Sequence, residues 1–133
     1  MANLDISGND NWCFACGENN PIGLKLQFEE KDGEYITRFT PEKKHQGYTG
    51  ITHGGILATL LDEVMARLPW ANGQNAVTAE MTVRYKLPAK TGEELTVIGR
   101  ITAEDRRTIS CSAEVRNPEG RIVAEAVARL MKV

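Results

Sequence analysis

The sequence predicts an α+β fold, an antiparallel sheet of five or six strands with one long central helix. Three observations predict it. Extended, strand-like patterns occur twice before the middle of the chain and four times after it; the middle itself carries a helical period; and the connections between strands are short.

GLKLQFEE (23–30) and EYITRFT (34–40) form the first two strands. KDG joins them, and its Gly33 supplies the positive φ of a tight hairpin. The helix follows within ITHGGILATLLDEVMARL (51–68). At 100° per residue Leu57, Leu61, Val64 and Leu68 share a narrow arc, with Leu60 beside them, and this stripe must bury against the sheet. The opposite side carries Gly55, Ala58, Thr59, Asp62 and Ala66. Small side chains around one carboxylate are a poor choice for open solvent and leave room for a close approach.

AVTAEMTVRYKLP (76–88) alternates, with Val77, Ala79, Met81, Val83, Tyr85 and Leu87 on one face. Thr78, Glu80, Thr82, Arg84 and Lys86 take the other, and Pro88 ends the strand. ELTVIGRITAE and TISCSAEVRN flank DRR; in the second of them Ile109, Cys111, Ala113 and Val115 mark the core face. NPEG turns the chain into RIVAEAVARLMKV. Its alanines favour helix, but Ile122, Ala124, Ala126, Ala128 and Leu130 keep period two, so it reads as strand.

With 133 residues, 41% of them hydrophobic, the chain is long enough for one domain with a real core. That domain spans 1–133, with residues 1–23 as an N-terminal segment packed on it. A net charge of −2 gives no basic footprint for nucleic acid. No apolar run reaches the ~18 residues of a membrane span. The opening MANLDISGND lacks the basic and apolar regions of a secretory signal. Three cysteines, an odd count, argue against a disulfide framework and for a reducing, cytoplasmic location.

Gly54 and Gly55 cost roughly 1 kcal/mol each against alanine inside a helix. Two readings fit. Either a tight entry turn needs glycine's backbone freedom, or a helix start without side chains lets a ligand reach the free N–H groups and the positive end of the dipole. Such donors suit a carbonyl oxygen that gains negative charge during acyl transfer. Gly54 and Asp62 stand eight residues apart, about 12 Å along one helix. Groups acting on one carbonyl must both lie within ~3 Å of the reacting atoms. One chain cannot bring these two together, but two antiparallel helices from two chains can.

The pattern HGG-x6-D, here His53, Gly54, Gly55 and Asp62, resembles the hotdog-fold acyl-CoA thioesterases of the PaaI-like branch. So do HQGYTGIT before it, AVTAEMTVRYKLPAKTGEEL after it, and the N-terminal CFACGENNPIGLKL. The resemblance covers most of the chain from Cys13 to Leu95. It implies a sheet wrapped around the helix, a homodimer or dimer of dimers, an acyl-CoA substrate and no cofactor. By the same resemblance Gly54 polarises the thioester carbonyl through its N–H, with His53 and Gly55 shaping the substrate loop. Asp62 of the other subunit acts as general base or nucleophile, and Thr78 helps to orient it. Relatives often carry Asn or Gln upstream of HGG. In register that position is Gly47, with Gln46 one residue away as its substitute. Glu63 is the other acid nearby, but 100° further round it meets a different environment.

Cys13 and Cys16 have the C-x2-C spacing of half a zinc site or a dithiol. A full site needs further ligands, so the pair reads as small residues anchoring the N-terminal segment, with no metal. Among the basic residues Arg84, Lys86, Lys90, Arg106 and Arg107, the paired arginines of DRRT best suit the phosphates of coenzyme A. Two other functions remain open. A hydratase or dehydratase on this fold would need a histidine, for which His53 is the candidate. A non-catalytic acyl-CoA sensor would need a DNA-binding segment, which the residues before Cys13 are too few to form.

Overall fold

The computed structural model describes residues 8–133; residues 1–7 of the N-terminal segment lie outside the described residues. The strands are β1 (Phe28–Lys31), β2 (Glu34–Phe39), β3 (Ala76–Tyr85), β4 (Leu95–Glu104), β5 (Thr108–Arg116) and β6 (Ile122–Lys132), and the helix is α1 (Gly54–Ala71). They form one six-stranded antiparallel sheet in the order β1-β2-β4-β5-β6-β3. Between β1 and β2, Asp32 and Gly33 both take positive φ (53° and 78°), the signature of a two-residue hairpin turn.

The helix lies on one face of this sheet. Leu57, Leu60, Leu61, Val64, Met65 and Leu68 are buried against Leu95, Val97, Ile109, Val115, Val123 and Leu130. Each such aliphatic side chain contributes about 1.5–3 kcal/mol of burial. Over β4 the helix approaches Gly99 so closely that a Cβ there would fall 2.8 Å from the Val64 carbonyl oxygen. Glycine is required there by contact, not by φ. No helix among the described residues is long and apolar enough to cross a membrane.

Four local expectations change. First, β1 starts at Phe28 rather than 23, because Lys25 sits at φ 56° and Leu24 and Leu26 bond back to Phe14 and Ala15 carbonyls (2.9 and 3.0 Å). Second, residues 51–53 precede the helix instead of opening it. Third, α1 runs through Pro69 to Ala71. Proline leaves the Met65 carbonyl without its helical donor; the buried Cys111 thiol, 3.9 Å away, donates to it weakly.

The fourth change matters most for the site. Plain alternation puts Thr78 on the face away from Met81, Val83 and Tyr85. A bulge at Ala79 shifts the register between Thr78 and Glu80. Thr78 now opposes Leu130, Met81 opposes Ala128, Val83 opposes Ala126 and Tyr85 opposes Ala124. Directly opposed residues project to one face, so all four look at the helix. Val77 and Ala79, expected on the core face, do not join them.

Candidate active site

The helix start is built by one histidine. His53 is the N-cap, with extended backbone (φ −60°, ψ 134°), and its Nδ1 accepts the Gly55 N–H at 2.8 Å. An accepting Nδ1 places the ring proton on Nε2. The His53 carbonyl accepts from Ile56 and Leu57 (3.0 and 3.3 Å). One first-turn N–H is left. That of Gly54 has no acceptor among the described residues, and it is the donor that a helix N-terminus offers to a developing negative charge.

The two glycines therefore differ in purpose. A Cβ on Gly55 would fall 3.0 Å from His53 Nδ1 and push the cap aside, so this glycine protects the helix start. Gly54 instead lines a cavity of about 570 Å³. Ile51, Leu57, Leu87 and Pro88 make that cavity largely apolar, and Tyr48, 86% exposed, stands at its edge. Two residues there escaped the sequence reading. The Tyr85 hydroxyl donates to the Gly54 carbonyl at 2.9 Å, with its ring 3.4 Å from where a Gly54 Cβ would be. Thr52 brings a buried hydroxyl that has no partner among the described residues. Tyr85 was visible only as one more aromatic in an alternating strand, and nothing in the sequence marks Thr52.

Asp62 stands two turns further along α1, half-buried. The Thr78 hydroxyl donates to its Oδ1 at 2.7 Å, a bond made possible by the bulge at Ala79. This holds one carboxylate oxygen and leaves Oδ2 unbonded among the described residues. Neither Asp62 nor Thr78 lines the Gly54 cavity of the same chain. Glu63 does meet a different environment. It faces Cys13 and Cys16, and burial raises its carboxyl above the usual range against the opposing pull of Cys16 and Arg67.

Gln46 is not in the cavity lining either. Its Oε1 accepts the Gly50 N–H at 3.1 Å, which ties the 46–50 loop to itself. Behind that loop, the buried His45 accepts the Glu42 N–H at Nδ1 (2.9 Å) and the His53 N–H at its carbonyl (2.8 Å). Desolvation lowers the His45 pKa, with Lys44 adding to the effect. Arg106 and Arg107 occupy the exposed β4–β5 turn. Thr108 at its end pairs with Met131, beside the start of β3, so this turn sits at the α1 C-terminal end of the sheet, away from Gly54.

An unbonded N–H at a helix start that lines an apolar cavity, and a separately held carboxylate, are the kinds of group that acyl-transfer chemistry uses. The comparisons with known proteins agree. A family model described as the thioesterase superfamily matches residues 49–124, and the chain belongs to that superfamily. Human acyl-coenzyme A thioesterase 13 is 29% identical over 96 residues, 70% of this chain and 69% of that protein. A Streptococcus mutans protein solved bound to acetyl CoA superposes with a TM-score of 0.76 at 26% identity, covering 81% of this chain and 88% of that one.

A hypothetical thioesterase of Streptococcus pneumoniae gives the same TM-score, 0.76, at 25% identity, covering 81% of this chain and 89–90% of that one. It was solved with a single alanine in place of an aspartate and, separately, of a threonine. Those two positions are sixteen apart, the separation of Asp62 and Thr78 here. The E. coli PaaI protein, at 21% identity, shares the hotdog fold with a TM-score of 0.77.

Proposed function

We propose that this chain hydrolyses acyl-CoA thioesters to the free acid and coenzyme A, in sites shared between two subunits. The observation that carries the reading is the separation within one chain: Gly54, whose N–H has no acceptor among the described residues, lines the cavity, and the Asp62–Thr78 pair lies outside it. Two antiparallel α1 helices place Gly54 of one subunit against Asp62 of the other and so complete two equivalent sites.

In each site the thioester oxygen accepts from the Gly54 N–H, and the α1 dipole stabilises the charge that grows there. The free oxygen of Asp62 acts on the thioester carbon or on the water that attacks it, while Thr78 holds the other oxygen. The acyl chain lies in the apolar cavity. His53 is committed to capping through Nδ1, which favours hydrolysis over a histidine-based hydration. The same antiparallel pairing carries the partner's α1 C-terminal end, and with it the Arg106–Arg107 turn, towards the Gly54 end, where the coenzyme A phosphates would extend.

The test is release of coenzyme A thiol from short, medium, long and aromatic acyl-CoAs by the wild-type protein and by Asp62→Asn. The reading expects turnover of at least one class and its loss in the variant. Equal rates for the two proteins would contradict it.

A further inference from the structure

Cys13, Cys16 and Glu63 play no part in the chemistry above, yet they converge. Their ligand atoms all lie within 4.8 Å of one another, with Cys13 Sγ 3.8 Å from Glu63 Oε1. A tetrahedral zinc ion with Zn–S of about 2.3 Å and Zn–O of about 2.1 Å sets its ligands apart by roughly 3.8 Å (S to S) and 3.6 Å (S to O). The three side chains therefore need to move only slightly to share one ion.

We infer that Cys13, Cys16 and Glu63 bind a zinc ion, with water in the fourth position, and that the ion pins the N-terminal segment to the middle of α1. Three further features fit. The Cys13–Cys16 turn is tight: Gly17 donates its N–H to the Cys13 carbonyl at 2.8 Å, and a Cβ on Gly17 would fall 2.4 Å from the Cys13 nitrogen. Charge balances too. Zinc with two thiolates and a carboxylate carries −1, and the Arg67 guanidinium donates to Cys16 Sγ at 3.1 Å. That cation is held in place between the rings of Phe28 and Trp70 (5.0 and 4.8 Å). Finally, Cys13 is exposed, so water reaches the fourth position.

Binding releases the two thiol protons to solvent and changes no oxidation state. The ion also orders what hangs on the turn. The Phe14 and Ala15 carbonyls accept from Leu24 and Leu26, whose side chains enter the core.

The test is cobalt(II) titration of the full-length, reduced, metal-stripped protein, with zinc content of the protein as purified measured in parallel. One equivalent of cobalt should give thiolate charge-transfer absorption and the visible bands of a tetrahedral site, and one equivalent of zinc should displace it and raise Tm. Cys16→Ser should lower the charge-transfer intensity per bound cobalt and weaken binding, and Glu63→Gln should retain the band while weakening cobalt binding about 10-fold or more. No saturable cobalt band in the wild-type protein would overturn the inference. So would a band that survives undiminished in both Cys13→Ser and Cys16→Ser, or a Cys13–Cys16 disulfide in metal-free protein whose reduction restores no binding.

Discussion

The first turn of α1 and the turn around Asp62 lie on one helix, yet the protein builds them by opposite means. At Gly54 the proposed functional group is backbone, and its surroundings leave one N–H free: His53 takes up its neighbours' bonds, Gly55 makes room for the cap, and Tyr85 fixes the carbonyl. At Asp62 the proposed functional group is a side chain, oriented by a residue from β3. A group set by local backbone geometry tolerates little change at its own position. A group set by a tertiary hydrogen bond depends on the register of a distant pair.

That contrast orders the expected effects of substitution. Asp62→Asn keeps shape and removes the reactive oxygen; kcat should fall about 10³-fold with the assembly intact, as removal of a positioned base does. Gly54→Pro is the sharper test of the first turn. Proline at the first helical position keeps the helix, and the extended His53 already suits a following proline, so the N–H is lost while the added Cβ meets the Tyr85 ring at an ordinary contact distance of 3.4 Å. Turnover should fall about 10²-fold, and circular dichroism should be unchanged. Wild-type rates in this variant would mean that the carbonyl binds elsewhere.

Thr78→Val removes the hydrogen bond while keeping the branched shape. A loss of about 10-fold in kcat, recovered in Thr78→Ser, is expected for one bond to a charged group. A valine variant of full activity would leave the bulge without a catalytic purpose. Replacing Arg106 and Arg107 together by alanine should raise KM several-fold with kcat unchanged, more clearly at low salt, where exposed cations act at longer range.

The smallest effect separates the two turns by pH. His45 has its pKa lowered in the folded state, so it contributes stability above the ordinary histidine value and loses it as pH falls through that value. Its carbonyl and Nδ1 hold the loop behind Gly54, not the Asp62 turn. Tm should decline slightly between pH 7 and pH 5, and His45→Gln should show less of this decline.

The same contrast explains what was legible in the sequence. Six strands, one helix, the buried leucine stripe and the small-residue face all follow from periodicity, since the residues that make each pattern are neighbours along the chain. HGG and Asp62 were visible because glycine and a lone acid are unusual in a helix. The partnership of Thr78 with Asp62 was not visible in the alternation, which put Thr78 on the wrong face. One extra residue, Ala79, reverses that, and no residue type announces it. Gln46 lies outside the single-chain cavity lining, its oxygen accepting the Gly50 N–H, a contact that only the folded loop makes. Pro69 hid the last turn of α1 because the thiol that offsets it, Cys111, comes from β5.

The shared site is the central claim, and complementation tests it most directly. Asp62→Asn and Gly54→Pro chains, each with about 1% of wild-type activity or less alone, are co-expressed with different affinity tags, and the mixed dimer is isolated and verified by mass spectrometry. One of its two sites then combines the intact Gly54 of the first chain with the intact Asp62 of the second, while the other site carries both defects. The account predicts recovery to about half the wild-type activity per dimer, if the two sites work independently. A verified mixed dimer as inactive as its parents would contradict it, because a site contained within one chain leaves every chain broken.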